Sequence, residues 1–147
     1  MKVLLLLCLI ISAALAMQEA SDPLEAARAE SNPEKRYALA LDVAGEEIGK
    51  ARQEYEKSLM DKFRNSLIVI EKSVILSDES LQSTGKDPAK SPKHFKRAEK
   101  AIRNIVKRLS GLEDSVGLND RALVAQTREK LQKIQERLVM EIVGGRR

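Results

Sequence analysis

The sequence predicts an all-α fold, an antiparallel up-down four-helix bundle made of two helical hairpins. Four stretches repeat apolar residues at alternating spacings of three and four, which is the heptad pattern of helices and not the alternation of a strand. Short segments that contain Gly, Pro or Ser separate the stretches, and short connections make consecutive helices antiparallel. The alternative architecture is a coiled coil between chains, which would use the same apolar stripes.

The composition is that of one globular domain rich in charge. The 147 residues include 43% hydrophobic and 33% charged residues, so the chain is neither disordered by composition nor a membrane bundle. Aromatic residues make up only 3%, which argues against a ligand cavity walled by aromatic rings. The only cysteine is Cys8 and the only histidine is His94, which excludes a disulfide scaffold, an intramolecular Cys/His zinc site and a cysteine protease.

Residues 1–16 have the pattern of a cleaved signal peptide. Lys2 supplies a positive start, an apolar run extends from residue 3 to residue 15, and Ala14 and Ala16 form the small-x-small cleavage pattern. The run is shorter than the roughly 20 residues that span a bilayer, and an uncleaved anchor is the alternative. Cys8, in the middle of the run, is interpreted as an incidental apolar residue. We therefore expect an exported protein, periplasmic or secreted, with no transmembrane span after cleavage.

Residues 17–31 form a polar lead-in before the predicted bundle domain of residues 32–143. Asp22 and Pro23 can begin a short helix that runs to Glu30. Apart from Leu24, its apolar residues are alanines. We therefore expect a partly helical segment with too little apolar surface to dock firmly.

The first long helix is predicted to begin at Asn32, Pro33 and Glu34. Asn caps free amide groups, Pro is tolerated in the first turn, and Glu favours the positive end of the helix dipole. Gly45 and Gly49 lie four residues apart inside this helix, where we expect them to permit a close helix crossing. The apolar seam, spaced 4, 3, 4, 3 and 4 residues apart, consists of Tyr37, Leu41, Ala44, Ile48, Ala51 and Tyr55.

The heptad register slips near Ser58, which predicts a tight turn at Lys57 and Ser58. Ser58 and Asp61 have the spacing of a capping box, with Asp in place of the usual Glu. One long bent helix through residues 57–59 is the alternative. The second seam consists of Leu59, Phe63, Leu67, Ile70 and Val74, with Leu81 near its end.

The third helix has the most regular seam. Gly85 and Pro88 end the preceding helix, because Gly suits a left-handed C-cap and Pro cannot continue a helix. Ser91 and Pro92 then begin the third helix with the same cap-and-proline pattern as Asn32 and Pro33. The third seam consists of Phe95, Ala98, Ile102, Ile105, Leu109, Leu112 and Val116.

Glycines mark the ends of the third and fourth helices. Gly111 interrupts the third seam at a cost of about 1 kcal/mol relative to Ala, so we expect that end to fray, and Gly117 stops the helix. Asn119 or Asp120 is predicted to cap the fourth helix. Gly144 and Gly145 end the fourth helix, and residues 144–147 form a basic tail that carries Arg146 and Arg147. The fourth seam consists of Leu123, Thr127, Leu131, Ile134, Leu138 and Ile142.

The sequence contains no enzyme signature, and we expect no catalytic residue, cofactor or metal site. His94 lies among Lys93, Lys96 and Arg97, a setting typical of a solvent-facing surface histidine. Carboxylates occupy no seam position and form no Glu-x-x-His repeat, so their local groups are interpreted as solvated faces. The groups are Glu46 with Glu47, Glu54 with Glu56, and Asp78 with Glu79.

The two halves of the chain carry opposite charge. Residues 17–84 contain 9 Lys/Arg and 14 Asp/Glu, a balance of −5, whereas residues 85–147 contain 16 and 8, a balance of +8. Six cations follow helical spacing opposite the third seam and form one basic stripe, the candidate site for binding an anionic surface. The basic stripe consists of Lys93, Lys96, Arg97, Lys100, Arg103 and Lys107.

Three interpretations of the basic stripe are open. The first is a solvated face that partly complements the acidic half. The second is a contact site for an anionic surface outside the cytoplasm, such as lipid headgroups or acidic polysaccharide. The third, nucleic acid, is disfavoured because no aromatic side chains interleave with the cations and because the export signal opposes it.

Residues 83–88 (STGKDP) and 91–99 (SPKHFKRAE) resemble the linker and third-helix start of small exported bacterial helical proteins of unknown function. Over residues 32–121 the likeness includes a first hairpin similar to a tetratricopeptide hairpin. Ile48 and Gly49 match its Leu-Gly pair, whereas Arg52 stands at its tyrosine position. The resemblance implies a secreted helical module and supplies no catalytic residues.

These observations favour a non-enzymatic exported helical protein that acts through contacts with a protein partner or with an anionic cell-envelope surface. The alternative is a tetratricopeptide-like adaptor that binds peptides. The two hypotheses differ in the surface they require. Buried seams favour the first, whereas an open groove lined by Tyr37, Tyr55 and Phe63 favours the second.

Overall fold

A computed structural model describes residues 22–144, and every regular element within this range is an α-helix. The predicted all-α class is therefore confirmed. The predicted signal peptide at residues 1–16, the start of the lead-in at residues 17–21 and the tail residues 145–147 lie outside the described residues. The helices are α1 (Glu25–Ala29), α2 (Pro33–Glu56), α3 (Met60–Gln82), α4 (Lys93–Ser115) and α5 (Leu118–Gly144).

The helices α2 and α3, which we call the first helix pair, make the most extensive contact between any two elements. Polar side chains connect them near both ends. Arg36, early in α2, donates from Nε to the Ser80 hydroxyl in late α3 at 2.9 Å. Ser66, early in α3, donates to Glu54 Oε2 in late α2 at 2.7 Å.

The first helix pair is rich in small buried side chains. Three buried alanines of α2 and four buried serines of α3 lie among the residues that are almost completely excluded from solvent. Small side chains let two helix backbones approach closely, which agrees with the extensive contact between α2 and α3. These residues are Ala40, Ala44 and Ala51 on α2, and Ser66, Ser73, Ser77 and Ser80 on α3.

The helices α4 and α5, the second helix pair, are joined by longer side chains. Arg128 of α5 donates from Nε to Glu113 of α4 at 2.8 Å. Gln135 of α5 donates to Glu99 of α4, also at 2.8 Å. The buried residues of this pair are mainly large and apolar, for example Ile102. Neither of its helices has a row of small buried residues like that of the first pair.

The two helix pairs pack together through α2 against α4 and through α3 against α5. Lys130 of α5 lies 2.9 Å from Glu71 of α3, and Arg137 of α5 pairs with Asp78 of α3. One hydrophobic cluster with members from all four long helices fills the space between the pairs. Most residues of the four predicted seams are buried in it, but Leu59 is 40% exposed.

Helix α1 docks more firmly than expected. Leu24 and Ala27 are each only 1% exposed, and they pack with Ala40, Val43 and Leu76 in a separate small cluster. The expectation that the lead-in has too little apolar surface to dock was wrong. Two apolar residues are enough because α2 and α3 both supply apolar side chains that cover them.

The predicted turn between α2 and α3 is confirmed, because α2 ends at Glu56 and α3 begins at Met60. The predicted capping box is wrong, since no side chain caps the start of α3. Ser58 instead has a positive φ of 59° and closes α2. The Ser58 N–H donates to the Tyr55 carbonyl at 2.9 Å and the Leu59 N–H to the Glu54 carbonyl at 2.8 Å, which is a Schellman motif.

The other predicted helix boundaries have mixed outcomes. Asn32 accepts hydrogen bonds from the backbone N–H groups of Glu34 and Lys35, as predicted for a cap, and Gly85 has the expected positive φ of 66°. Ser91 caps nothing, because Pro92 occupies the cap position of α4.

The last connection also differs from the prediction. Helix α5 begins at Leu118, so Asn119 and Asp120 lie inside its first turn, and the Gly117 carbonyl accepts the first helical hydrogen bonds. Gly111 lies within α4, which continues to Ser115.

Candidate functional site

All six residues of the basic stripe lie exposed on α4. The opposite side of the helix carries the buried third seam, for example Ile102 and Leu109, so the cations cannot turn inward without unpacking the core. Lys93 and Lys107 are 14 residues apart, so the basic stripe is about 21 Å long at 1.5 Å per helical residue. It is therefore a straight row of charge on a helix whose other face is fixed.

The cations of the basic stripe are scarcely neutralised by the protein. Within residues 22–144, Arg103 is the one member that forms an ion pair, with Glu99 at 3.3 Å, and its side chain remains 64% exposed. Shallow depressions lie between the long side chains. One of them, of about 560 Å³, is lined by Arg97, Lys100, Ala101, Arg103, Asn104 and Lys107.

Carboxylates border the basic stripe on the side of α2. A Cβ atom placed on Gly45 of α2 would lie 3.6 Å from Nη1 of Arg108, so this part of α2 faces α4. Asp42 and Glu46 are exposed on α2 next to Gly45. They are four residues apart and therefore lie on one side of the helix.

On the side of α5, Glu99 borders the basic stripe, and Glu113 lies on the same flank beyond the end of the stripe at Lys107. Glu99 accepts a hydrogen bond from Gln135 of α5, and Glu113 accepts one from Arg128 of α5. Both carboxylates are thus on the flank of α4 that meets α5. The basic stripe therefore runs between an acidic border on α2, formed by Asp42 and Glu46, and the carboxylate of Glu99 on the side of α5.

The start of the basic stripe is tied to α2 through His94. Its Nδ1 lies 3.1 Å from the Tyr37 hydroxyl, and its Nε2 lies 3.3 Å from Glu34 Oε2. The interpretation of His94 as a solvent-facing surface histidine was wrong, because its side chain is only 23% exposed and bridges two helices. The hydrogen bond from Lys86 to Glu34, helped by the nearby charges, lowers the pKa of Glu34 below its usual value, and burial raises the pKa of Tyr37.

The far end of α4 is tied to α2 by a second tyrosine. The Tyr55 hydroxyl accepts a hydrogen bond from the Gly117 N–H at 2.8 Å and donates one to Asp120 at 3.1 Å. Because Tyr37 and Tyr55 belong to one helix, α2 holds both ends of α4. The basic stripe lies between these two contacts.

The aromatic residues do not form the exposed groove that a peptide-binding adaptor would need. Tyr37 and Phe63 are buried in the core, and Tyr55 is partly buried with its ring 5.1 Å from that of Phe63. Their surface is therefore used for packing. This arrangement meets the expectation for buried seams and not the one for an open aromatic groove.

Two carboxylates that were interpreted as solvated are buried. Glu47 is 5% and Glu54 is 7% exposed, and Glu54 accepts the hydrogen bond from Ser66. Glu47 pairs with Lys50 at 3.2 Å.

The expected close helix crossing at the α2 glycines is also wrong. A Cβ atom on Gly49 would meet nothing within 4 Å, and one on Gly45 would meet only the end of the Arg108 side chain.

Within residues 22–144, no group of three or more His, Cys, Asp or Glu side chains is arranged to hold a metal ion. In the same range, no helix combines the length and apolar character needed to cross a membrane. Comparison with protein-family models, with curated proteins and with solved structures gave no significant match.

Proposed function

We propose that this protein is an exported, non-enzymatic helical bundle that binds anionic material of the cell envelope through the basic stripe of α4. The observation that carries the proposal is a row of six exposed cations, of which one forms an ion pair within the described residues. The electrostatic potentials of the six cations add, so the row attracts an anionic partner from a distance. The exposed cations can then contact that partner directly.

The proposed architecture is the antiparallel up-down bundle of two hairpins within one chain. It is supported by the contacts that connect the early part of each helix with the late part of its pair partner, such as Arg36 with Ser80 and Glu113 with Arg128. A single core with members from all four long helices supports closure within the chain over a coiled coil between chains.

The energetic cost of the basic stripe supports a functional role over a merely solvated face. Like charges three or four residues apart on a helix destabilise it by about 0.2–0.5 kcal/mol per pair. On α5, by contrast, Lys130 pairs with Glu71 and Arg137 with Asp78. An anionic ligand would remove the repulsion that remains on α4.

The export step of this proposal comes from the signal-peptide pattern of residues 1–16. Outside the cytoplasm, anionic lipid headgroups and acidic polysaccharides are the abundant partners for such a surface. Detection of the protein in the periplasmic or culture fraction, with Met17 as its first residue, is the expected result for this step.

Binding to two anionic materials tests the proposal. The purified protein is incubated at low salt with vesicles that contain phosphatidylglycerol and with beads that carry an acidic polysaccharide. The positive charge of the basic stripe is reduced in a variant with Lys96→Gln, Arg97→Gln, Lys100→Gln and Arg103→Gln. The matched control removes the same charge elsewhere through Lys57→Gln, Lys62→Gln, Lys72→Gln and Lys133→Gln, all at exposed positions.

The expected result is that the wild type and the control bind at least one material with similar affinity, and that the α4 variant binds at least tenfold more weakly. Circular dichroism checks that both variants remain folded. Equal binding by the α4 variant and the control, or no binding of the wild type to either material, would overturn the proposal.

A further inference from the structure

We propose that the ligand of the basic stripe is a linear polyanion, an acidic polysaccharide chain that lies along α4, and not a bilayer surface. This inference rests on the proposed function and specifies the partner of the same site. Three features of the molecule support it: the shape of the charged surface, the carboxylates beside it and the position of the exposed apolar side chains.

The cations form a line and not a plane. At about 100° of rotation per residue, the six side chains lie within about a third of the circumference of α4. Lys93 and Lys107 mark the two ends, about 21 Å apart. A chain with closely spaced negative groups can contact all six cations at once, whereas a flat surface would also meet the neighbouring helices.

Carboxylates lie on those neighbouring surfaces. Asp42 and Glu46 are exposed on the α2 side, and Glu99 lies on the α5 side. An anionic bilayer laid on α4 would bring its headgroups close to the carboxylates of α2 and lose part of the attraction. A narrow chain between the borders avoids this repulsion.

Helix α4 has no apolar surface to insert into lipid. Interfacial membrane helices bury an apolar face in the headgroup region, but the apolar face of α4 is inside the core, with Phe95, Ile102 and Leu109 almost fully buried. The large apolar side chains that are exposed within the described residues lie outside α4. They are Leu39, Leu59, Ile68, Ile75, Leu118, Val139, Met140 and Val143.

The basic stripe is equally poor in groups that recognise bases. Single-stranded nucleic acids are bound by stacking bases on exposed aromatic rings between cations. Phe95 is the aromatic residue of α4, and it is buried on the opposite face. The positive charges therefore match a polyanion that offers charge and no bases.

Fragments of heparin, a sulfated polysaccharide, serve as the probe in a calorimetric titration of the purified protein. Affinity is expected to rise with fragment length until the fragment covers about 21 Å, and then to level off. The slope of log K against log salt should fall by about one for each cation removed from the basic stripe. Phosphatidylglycerol vesicles, compared at an equal concentration of anionic groups, should bind at least tenfold more weakly than fragments that cover the basic stripe.

A variant with Asp42→Asn and Glu46→Gln tests the role of the acidic border. It should bind vesicles at least threefold more tightly than the wild type and change fragment binding by less than twofold. The matched control, with Glu25→Gln and Asp61→Asn at exposed positions away from α4, should change neither. These variants remove exposed charges, and circular dichroism confirms that they are folded.

Three results would overturn the inference. They are vesicle binding as tight as fragment binding, affinity that does not depend on fragment length, and single-stranded DNA bound more than tenfold more tightly than fragments of equal charge. Binding to vesicles that is lost in the α4 variant, together with no binding to fragments, would overturn the linear ligand and leave the proposed function standing. Absence of binding to both materials would instead overturn the proposed function.

Discussion

The two helix pairs bury different kinds of side chain. In the first pair, α2 contributes buried alanines and α3 a row of buried serines, and a hydrogen bond between buried side chains joins Ser66 to Glu54. In the second pair, large side chains such as Ile102, Leu109 and Leu131 fill the core. Polar contacts between α4 and α5, such as Arg128 with Glu113, lie nearer the edge.

The difference explains where a binding surface can form. The first pair uses its outer groove to hold α1, since Leu24 and Ala27 are buried there. The second pair buries the apolar face of α4 and leaves a face rich in exposed cations on the opposite side. Only the second pair therefore presents a long row of charge that no other element covers within the described residues.

The largest expected effect comes from the apolar core of the second pair. Leu109→Ala should lower the free energy of unfolding by about 2–5 kcal/mol, because it removes a fully buried side chain and leaves a cavity. Urea denaturation followed by circular dichroism measures the change. Leu118→Ala, at a position 80% exposed, is the control and should change stability by less than about 0.5 kcal/mol. A loss below 1 kcal/mol for Leu109→Ala would contradict a shared apolar core.

The serines of the first pair should separate into two kinds. Ser66→Ala leaves the buried Glu54 carboxylate without its hydrogen-bond donor and should cost about 1–3 kcal/mol. The buried Ser77 hydroxyl has no hydrogen-bond partner within the described residues, so Ser77→Ala should be neutral or stabilising by up to about 1 kcal/mol. Urea denaturation measures the free energy of unfolding of both variants. Equal losses would contradict the stabilising role given to the hydrogen bond from Ser66 to Glu54.

Two glycines near the end of α4 should respond in opposite directions. A Cβ on Gly111 meets nothing within 4 Å, so Gly111→Ala should raise the free energy of unfolding by about 0.5–1 kcal/mol. A Cβ on Gly117 would lie 3.2 Å from the hydroxyl oxygen of Tyr55, which is held by two hydrogen bonds, and Gly117→Ala should cost about 1 kcal/mol. Thermal denaturation of both variants checks the sign. Stabilisation by Gly117→Ala would mean that Tyr55 does not hold the two pairs together.

The smallest effect concerns the contact between the pairs at His94. Because the pKa of Glu34 is lowered in the folded protein, its contribution to stability is present above its ordinary pKa of 4.5 and is lost as the pH falls through the lower folded value. Glu34→Gln should therefore flatten the loss of stability in this acidic range. Urea midpoints measured between pH 6 and pH 3 test this, with Glu25→Gln as the control. Identical acid profiles for the wild type and Glu34→Gln would contradict the role given to Lys86 and His94.

Much of the fold could be predicted from the sequence because heptad spacing reports directly which face of a helix is buried. The third seam, from Phe95 to Val116, is buried throughout. Helix caps were harder to predict, since Ser58, Ser91 and Asp120 have suitable side chains but the local backbone places other residues at the cap positions. The burial of Leu24 could not be predicted from its own segment, because it depends on the groove that α2 and α3 create together.

Some residues of the candidate site could also be predicted from the sequence, and others could not. The basic stripe lies on one helix, so its exposed position followed from helical spacing alone. The supports of α4 come from distant parts of the chain, as in the contacts of Tyr37 with His94 and of Tyr55 with Gly117. Nothing in the spacing within a single helix indicates such partners. The acidic border at Asp42 was missed for the same reason.

The most direct test of the account is a map of ligand contacts by nuclear magnetic resonance. Heparin fragments are titrated into isotope-labelled protein, and the backbone amide shifts of residues 22–144 are followed. If the basic stripe binds the ligand, the largest changes fall on residues 93–107 of α4, and the amides of α3 and of α1 change little. Changes centred on the first helix pair, or on the exposed apolar end of α5 around Met140, would contradict it.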